Sequence, residues 1–215
     1  MNETRIRLVC FDLGGVVLRI CRTWAEGCAA AGLDVRDPSR WKQTKPARAA
    51  LIVQYQTGRI DGQTFAQQAS TLVGGLYSPA EILGIHRAWL LTEYEGINEL
   101  VHRLHQGGLD TATLSNTNHE HWVRMGEFPA VMRIRHHLPS HRIGLHKPDP
   151  SIYRLVERQL GYAGAEILFL DDTQENVAAA RQVGWNAQLI DPAAPTAAQI
   201  TLVFRSHGVG GWSAV

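Results

Sequence analysis

A short apolar run near the start of the chain, Leu8-Val9-Cys10-Phe11, ends in a carboxylate, Asp12, and then in the glycine pair Gly14-Gly15. An apolar run of this length that stops at a turn signal is typical of a buried parallel strand. In open parallel sheets the chemistry lies just beyond the carboxyl ends of the strands, which is where Asp12 would lie. Taken alone, an aspartate at this point is more often a turn former or a helix cap, so a role for Asp12 needs support from elsewhere in the chain.

The same pattern recurs twice downstream. The β-type run 111–115 ends on Ser115, and the strand predicted at 166–170 ends on Asp171 and Asp172. Helical patterns separate these strands, and further short strands are predicted at 136–138 and 187–190. Strands that alternate with helices imply right-handed parallel crossovers and a three-layer sheet. We therefore predict a Rossmann-like α/β core, in which these polar strand ends converge if their strands are adjacent.

Residues from about 34 to 91 carry helical patterns and no convincing strand. Ser78-Pro79-Ala80-Glu81, for example, is a good helix start, with Ser as the cap and Pro at the first position. A helical block inside an α/β pattern is typical of an inserted domain. We predict a core of residues 1–18 and 93–215 and a helical cap, residues 19–92, with Trp24, Trp41 and Trp89 in the core of the cap.

Composition excludes several classes of protein. The chain has 215 residues, 45% of them hydrophobic, which is enough to bury a full core. Its net charge of +1 argues against a nucleic-acid backbone as partner. No apolar run is long enough to span a bilayer, and residues 1–5 lack the features of a signal peptide. Its three cysteines form no CxxC pair, which favours reduced thiols and a cytoplasmic location.

The polar strand ends also indicate a chemistry. Asp12 and Asp172, brought together, would repel each other unless a cation lay between them. Oxygen ligands with open positions suit Mg²⁺, which binds through one or two carboxylates and substrate phosphate. Ser115 can donate a hydrogen bond to a phosphoryl oxygen, and Lys147 supplies a positive charge. Asp12 could then attack phosphorus and form an aspartyl phosphate.

Four segments carry a resemblance to a known family: Phe11–Val16, Leu114–Asn118, Lys147–Pro150 and Phe169–Asp172. In order and separation they resemble the four motifs of the haloacid dehalogenase-like (HAD) superfamily, whose members have a Rossmann-like core with an inserted cap. Within it the chain is most similar to the bacterial glucose-1-phosphate phosphatase branch, which is related to the N-terminal phosphatase domain of soluble epoxide hydrolase. That finer likeness depends on three groups of residues: Thr57–Ile60, Ser115–Asn118 with His121, and Asp171-Asp172 with Asn176.

The resemblance implies a role for each matching residue at the centre of the site. Asp12 would be the nucleophile and a ligand of Mg²⁺. The carbonyl of Gly14 and the side chain of Asp172 would complete the protein's share of the metal ligands. Ser115 and Lys147 match the phosphate-binding positions.

Four further residues are expected to support the site or to border the substrate. The resemblance implies that Asp171 and Asn176 orient Lys147 and its loop, and that Asn116 faces the substrate. His121 lies a few residues beyond Ser115, so we consider it a candidate proton relay.

The chain departs from the family pattern at Gly14. Most phosphatases of the superfamily carry a second Asp there, two residues after the nucleophile, as general acid and base. A glycine cannot protonate a leaving group, and such help is worth about 10²–10⁴-fold in rate. We therefore expect a preference for good leaving groups, such as an anomeric sugar oxygen or a phenol, or a proton relay from a nearby histidine.

The resulting prediction is a hydrolase, a Mg²⁺-dependent phosphatase of a small phosphorylated metabolite such as a sugar phosphate. We expect a monomer or weak homodimer without nucleic-acid or membrane partners. Two alternatives stay open. A metal-independent 2-haloacid dehalogenase would use Asp12 on carbon, although the pair Asp171-Asp172 argues against it. A non-catalytic protein that binds phosphometabolites is the other, because Gly14 replaces the usual acid.

Overall fold

The structure, a computed structural model, describes residues 5–209 of the chain, in seven strands, twelve α-helices and one 3₁₀ helix, Gly164–Glu166. The strands are β1 (Leu8–Phe11), β2 (Leu18–Ile20), β3 (Leu90–Glu93), β4 (Asp110–Ser115), β5 (His136–Pro139), β6 (Ile167–Asp171) and β7 (Asn186–Leu189). The helices are α1 (Trp24–Ala30), α2 (Pro38–Gln43), α3 (Lys45–Gln56), α4 (Gly62–Leu72), α5 (Pro79–Ala88), α6 (Ile97–Gln106), α7 (His119–Met125), α8 (Pro129–Arg133), α9 (Ser140–Ile143), α10 (Pro150–Leu160), α11 (Gln174–Gln182) and α12 (Thr196–Ser206). No helix in this part of the chain is long and apolar enough to cross a membrane.

Five parallel strands form the central sheet, in the order β5-β4-β1-β6-β7. Strand β1 lies in the middle, where Phe11 is level with Thr113 of β4 and with Leu170 of β6. The ends of β1, β4 and β6 therefore meet at one edge of the sheet. Because helices cover both faces, the predicted α/β fold with a Rossmann-like core is confirmed.

Alternate residues of β1 point to the two faces of the sheet, as strand geometry requires. Val9 and Phe11 join a buried cluster with apolar residues of α6 and α12. Leu8 and Cys10 join a second cluster on the opposite face, with residues of α10 and α11. Because β1 is packed on both faces, its position is fixed, and so is that of Asp12, the residue that follows it.

Helices α1 to α5 lie within the predicted cap and pack around a separate buried cluster that includes Leu51, Phe65 and Ile85. The helix predicted from Ser78 is confirmed, with a complete capping box between Ser78 and Glu81. The three cap tryptophans are only partly buried and lie against this cluster. The exact division into core and cap stays a prediction.

The two strands β2 and β3 were not predicted from the sequence. The expectation of no strand between 34 and 91 is wrong at its end, because β3 begins at Leu90 and pairs antiparallel with β2. The two strands are three and four residues long, and most of their side chains are not buried. Such short, half-exposed segments show no clear alternation in the sequence, so only the pairing between distant segments defines them.

Candidate active site

Three carboxylates meet beyond the edge of the sheet where β1 and β6 end. Asp12 follows β1, Asp171 is the last residue of β6, and Asp172 follows it. One oxygen from each lies within 4.8 Å of the other two. Carboxylates this close repel one another strongly unless cations lie among them. The sheet register therefore creates a site that requires positive charge.

Lys147 supplies one positive charge from the loop before α10. Its Nζ lies 2.6 Å from Oδ2 of Asp171 and 3.1 Å from Oδ1 of Asp12, and the side chain is 1% exposed. Burial by itself would lower the pKa of Lys147, but the two carboxylates outweigh burial and raise that pKa. Burial raises the pKa of Asp12 to about 7, although Lys147 favours its charged form. Any further cation beside Asp12 would also favour the carboxylate.

Asp171 is fully used in holding Lys147 in place. Its Oδ1 accepts a hydrogen bond from the backbone N–H of Thr173 at 2.8 Å. The side-chain amide of Asn176 donates to both carboxylate oxygens at 3.1 Å. With Lys147 as the remaining donor, Asp171 orients the lysine and has little capacity left for a metal.

Asp12, Asp172 and the carbonyl of Gly14 are the groups that could hold a divalent cation. The Gly14 carbonyl accepts no hydrogen bond from any other residue between 5 and 209. Oδ2 of Asp172 is paired with Arg22, whose Nη1 lies at 2.5 Å. Two carboxylates and one carbonyl are oxygen donors of the kind that Mg²⁺ prefers, with positions left open for phosphate and water. The donor set therefore fits Mg²⁺.

Arg22 is a site residue that the sequence did not reveal. It lies between β2 and α1 and reaches across to Asp172. Gly15 makes the approach possible, because a Cβ there would lie 2.1 Å from Nη2 of Arg22 and 2.3 Å from Oδ2 of Asp172. Gly15 also has a φ of +84°, which disfavours other residues. Nothing in the sequence distinguishes Arg22 from the chain's other arginines, since β2 and its pairing with β3 bring it to the site.

Arg22 competes with any metal for Asp172, so we expect that removing its charge strengthens metal binding. Replacing it by glutamine removes a positive charge beside the carboxylates, so the Arg22→Gln protein is expected to bind Mg²⁺ about three- to tenfold more tightly. Calorimetric titration with MgCl₂ measures the change. Arg19→Gln, an exposed arginine on β2, is the matched control and should leave the affinity unchanged. Unchanged or weaker binding in Arg22→Gln would show that the ion pair does not oppose the metal.

Ser115 and Asn116 follow β4, the neighbour of β1. Ser115 is 4% exposed and lines a cavity of about 230 Å³ together with Asp12 and Lys147. Asn116 also lines this cavity, but its side chain is bonded to Lys147. Its Oδ1 accepts from the backbone N–H of Lys147 at 2.8 Å, and its Nδ2 donates to the Lys147 carbonyl at 2.9 Å. Asn116 therefore braces the lysine loop, and its Oδ1 keeps one lone pair that can accept a hydrogen bond from a substrate.

His121 lines the same cavity, beside the cap. Its Nε2 lies 2.7 Å from the carbonyl oxygen of His86, so Nε2 carries the proton and donates it there. Burial lowers the pKa of His121 to about 4 and that of His86 to about 3. Both rings are therefore neutral at pH 7. A neutral His121 can accept a proton, but it has none to give to a leaving group.

Because His86 and His121 are buried, we expect the folded protein to lose stability in mild acid. Their pKa values in the folded protein lie below the ordinary value of 6.5, so the unfolded chain binds more protons below that pH. The free energy of unfolding should then fall by up to about 1.4 kcal/mol per pH unit for each ring as the pH drops from 6.5 toward 4. Urea unfolding at pH 7, 6 and 5 measures the slope.

His121→Gln removes one of these rings and should lower the slope by the contribution of one proton, up to about 1.4 kcal/mol per pH unit. An unchanged slope in His121→Gln would contradict the assignment.

A family model described as haloacid dehalogenase-like hydrolase matches residues 6–184. Phosphatase MT3486 of Mycobacterium tuberculosis is 39% identical over 59 residues, which is 27% of this chain and 27% of that protein. Drimenol cyclase drtB of Aspergillus calidoustus is 31% identical over 73 residues, 34% of this chain and 14% of the cyclase. The chain thus aligns with only a small part of each of these curated relatives.

Solved structures match over most of the chain. A HAD family enzyme of Bacteroides thetaiotaomicron superposes with a TM-score of 0.77 at 20% identity, covering 91% of this chain and 98% of that one. Its complex with magnesium and inorganic phosphate gives 0.72 at 21% identity, covering 88% and 96%. The L-2-haloacid dehalogenase of Xanthobacter autotrophicus, with chloropropionic acid covalently bound, gives 0.62 at 21% identity, covering 92% and 82%. At sequence identities of 20–21%, the similarity to these solved structures shows the fold alone.

Proposed function

Because this chain belongs to the haloacid dehalogenase-like hydrolase family, we propose that it is a Mg²⁺-dependent phosphatase of a small phosphorylated metabolite. The observation that carries the proposal is the buried contact of Lys147 with Asp12, beside Asp172 and Ser115 and open to one cavity. A buried ammonium next to a candidate nucleophile suits an anionic substrate. The Bacteroides enzyme's complex with magnesium and inorganic phosphate, and the partial likeness to a mycobacterial phosphatase, support the same reaction.

The proposed reaction has two phosphoryl transfers. An oxygen of Asp12 attacks phosphorus, the ester P–O bond breaks, and the leaving oxygen takes its proton from water. Water then attacks the aspartyl phosphate, which releases inorganic phosphate and restores Asp12. Lys147 holds its positive charge next to the reacting groups, and the hydroxyl of Ser115 donates a hydrogen bond to a phosphoryl oxygen.

A bound Mg²⁺, held by Asp12, Asp172 and the Gly14 carbonyl, would neutralise charge on the transferring phosphoryl group. Lys147 and Asp171 fix the orientation of Asp12 independently of the metal, because their bonds lie within the protein. The site is thus arranged before substrate arrives, which reduces the cost of reaching the transition state.

The site provides no evident acid for the leaving group. The only carboxyl groups that line the 230 Å³ cavity among the described residues are Asp12 and Asp172, and both have other roles. A Cβ at Gly14 would lie 2.8 Å from Cδ1 of Ile20, so the side chain of Ile20 occupies part of the space that the family's usual Asp would need. Leaving groups that depart without protonation are therefore favoured.

The finer assignments are proposals as well. Similarity to the glucose-1-phosphate phosphatase branch depends on the segments quoted above and does not specify a substrate. Free thiols at Cys10, Cys21 and Cys28 support a reducing, cytoplasmic location. We propose a monomer or weak homodimer.

Phosphate release with and without Mg²⁺ tests the function. We expect the protein to hydrolyse phenyl phosphate in MgCl₂, to lose this activity in EDTA, and to cleave ethyl phosphate at least about tenfold more slowly, because no acid assists the poorer leaving group. Equal rates on both esters would refute the leaving-group argument. Chloride release from 2-chloropropionate in EDTA would instead establish the dehalogenase alternative, and phosphate binding without turnover would establish the non-catalytic one.

A further inference from the structure

A second cavity, of about 510 Å³, continues from the catalytic one into the cap. Arg22, Gln56, Trp89 and His121 line both cavities. A ligand whose phosphate reaches Asp12 would therefore extend its remaining part into this space. The volume is in the range of pockets that enclose a whole small molecule.

Aromatic rings form much of the wall of this cap cavity. Trp24 and Trp41 stack with centroids 3.8 Å apart, and Tyr55 stacks on Phe65 at 4.4 Å. Trp89 closes the side that faces the catalytic cavity. Rings of this kind give favourable contacts to a planar apolar group.

Most uncharged polar groups along the cavity are already bonded within the protein, although Trp24 Nε1 and His86 Nδ1 are buried there without a partner. Gln56 Oε1 lies 2.9 Å from His146 Nε2, and its Nε2 donates to the carbonyl of Asn116 at 3.3 Å. Asn118 accepts from the backbone N–H of His121, and the hydroxyl of Tyr55 donates to Glu120. A sugar in this space would bury hydroxyl groups with few partners, at a cost of about 1–3 kcal/mol for each unpaired group. The cavity therefore disfavours a sugar as the leaving group.

The charges around the cavity are all positive. Lys42, Lys45 and Arg48 line it from α2 and α3, together with Arg22, and no Asp or Glu of the described chain does. None of the three cap cations is paired with a carboxylate of residues 5–209. Arg48 is held in place, since its guanidinium lies 3.5 Å above the ring of Trp41 and donates to the Trp41 carbonyl at 2.6 Å. Unpaired cations around an apolar cavity, one of them held in place, suit an anionic group on the ligand.

We propose, resting on the phosphatase function above, that the substrate is the phosphate monoester of a bulky aromatic alcohol that carries a second anionic group. The phosphate lies at Asp12, the aromatic body packs against the aromatic wall of the cap cavity, and the second anion pairs with Arg48, Lys42 and Lys45. An aromatic alcohol is also a good leaving group, which agrees with the glycine at position 14.

Three esters of increasing size and charge test the assignment: phenyl phosphate, 6-carbamoyl-2-naphthyl phosphate and 6-carboxy-2-naphthyl phosphate. We expect kcat/KM in MgCl₂ to rise about tenfold from the phenyl to the carbamoyl ester, because more apolar surface is buried. A further rise of about tenfold is expected from carbamoyl to carboxy, which adds charge at nearly constant shape. Glucose 1-phosphate should be the poorest of the compounds. Equal values for the phenyl and naphthyl esters, or a preference for glucose 1-phosphate, would overturn the proposal.

Arg48→Gln should remove the preference for the carboxy over the carbamoyl ester, because the contact with the second anion is lost. Lys42→Gln/Lys45→Gln changes two exposed side chains and so tests the same charge without risk to the fold. Arg59→Gln, an exposed cap residue outside the cavity, is the matched control. A carboxylate preference that survives both variants would refute the anion contact.

Binding of 6-hydroxy-2-naphthoate, measured by calorimetry with Asp12→Asn, separates this proposal from the proposed function because it needs no turnover. If phenyl phosphate is hydrolysed but the naphthoate does not bind, the cap assignment fails and the phosphatase function stands. If the naphthoate binds in an Arg48-dependent way but no ester releases phosphate, the cap assignment stands and the phosphatase function fails.

Discussion

Asp12→Asn is expected to abolish phosphate release, with a loss in kcat of about 10⁴-fold or more. An amide oxygen is a poor nucleophile, and asparagine lacks the charge that both Lys147 and a metal would bind. The fold should survive, because the substitution removes a buried charge and keeps the shape of the side chain. Phosphate release from phenyl phosphate in MgCl₂, measured beside urea unfolding, checks both parts of this expectation.

The matched control is Asp34→Asn, the same chemical change at an exposed position on the cap. It should leave kcat unchanged. If Asp12→Asn keeps activity within about tenfold of the natural protein, Asp12 is not the nucleophile, and the two-step reaction has to be abandoned.

Lys147→Met is expected to cost about 3–5 kcal/mol in the free energy of unfolding, and activity as well. Methionine matches the length of the lysine stem but leaves the carboxylates of Asp12 and Asp171 buried without their cation. Asp171 is 0% exposed, so water cannot replace the lost partner. The midpoint of urea unfolding at pH 7 measures the loss in stability.

A double variant separates the two roles of Lys147. Lys147→Met/Asp171→Asn removes one of the stranded charges and should recover part of the lost stability without recovering activity. Lys45→Met, an exposed cap lysine, is the control and should change stability by less than about 0.5 kcal/mol. A loss below about 1 kcal/mol in Lys147→Met would mean that the contact with Asp171 contributes little to the fold.

Local sequence pattern predicted the core well. Strands β1, β4 and β6 are short, wholly or largely buried runs that end at or just before a polar residue, so both their type and their ends are visible in the sequence. Their parallel pairing follows from the helices between them, since a parallel connection requires a crossover. The residues predicted at the centre of the site, Asp12, Ser115, Lys147 and Asp172, all line one cavity.

The sequence by itself therefore determined the α/β architecture and which strand ends carry reactive groups, because periodicity, burial and turn signals act over a few neighbouring residues. Tertiary structure alone decided how those groups are paired. In the folded chain Asp171 bonds Lys147, and the side chain of Asn116 bonds the backbone of the lysine loop. The pairing of β2 with β3 places Arg22 in contact with Asp172. The tertiary structure also joined cations and rings of the cap into one cavity. These contacts join residues far apart in the chain, and their energies depend on distance and burial, which exist only once the chain has folded.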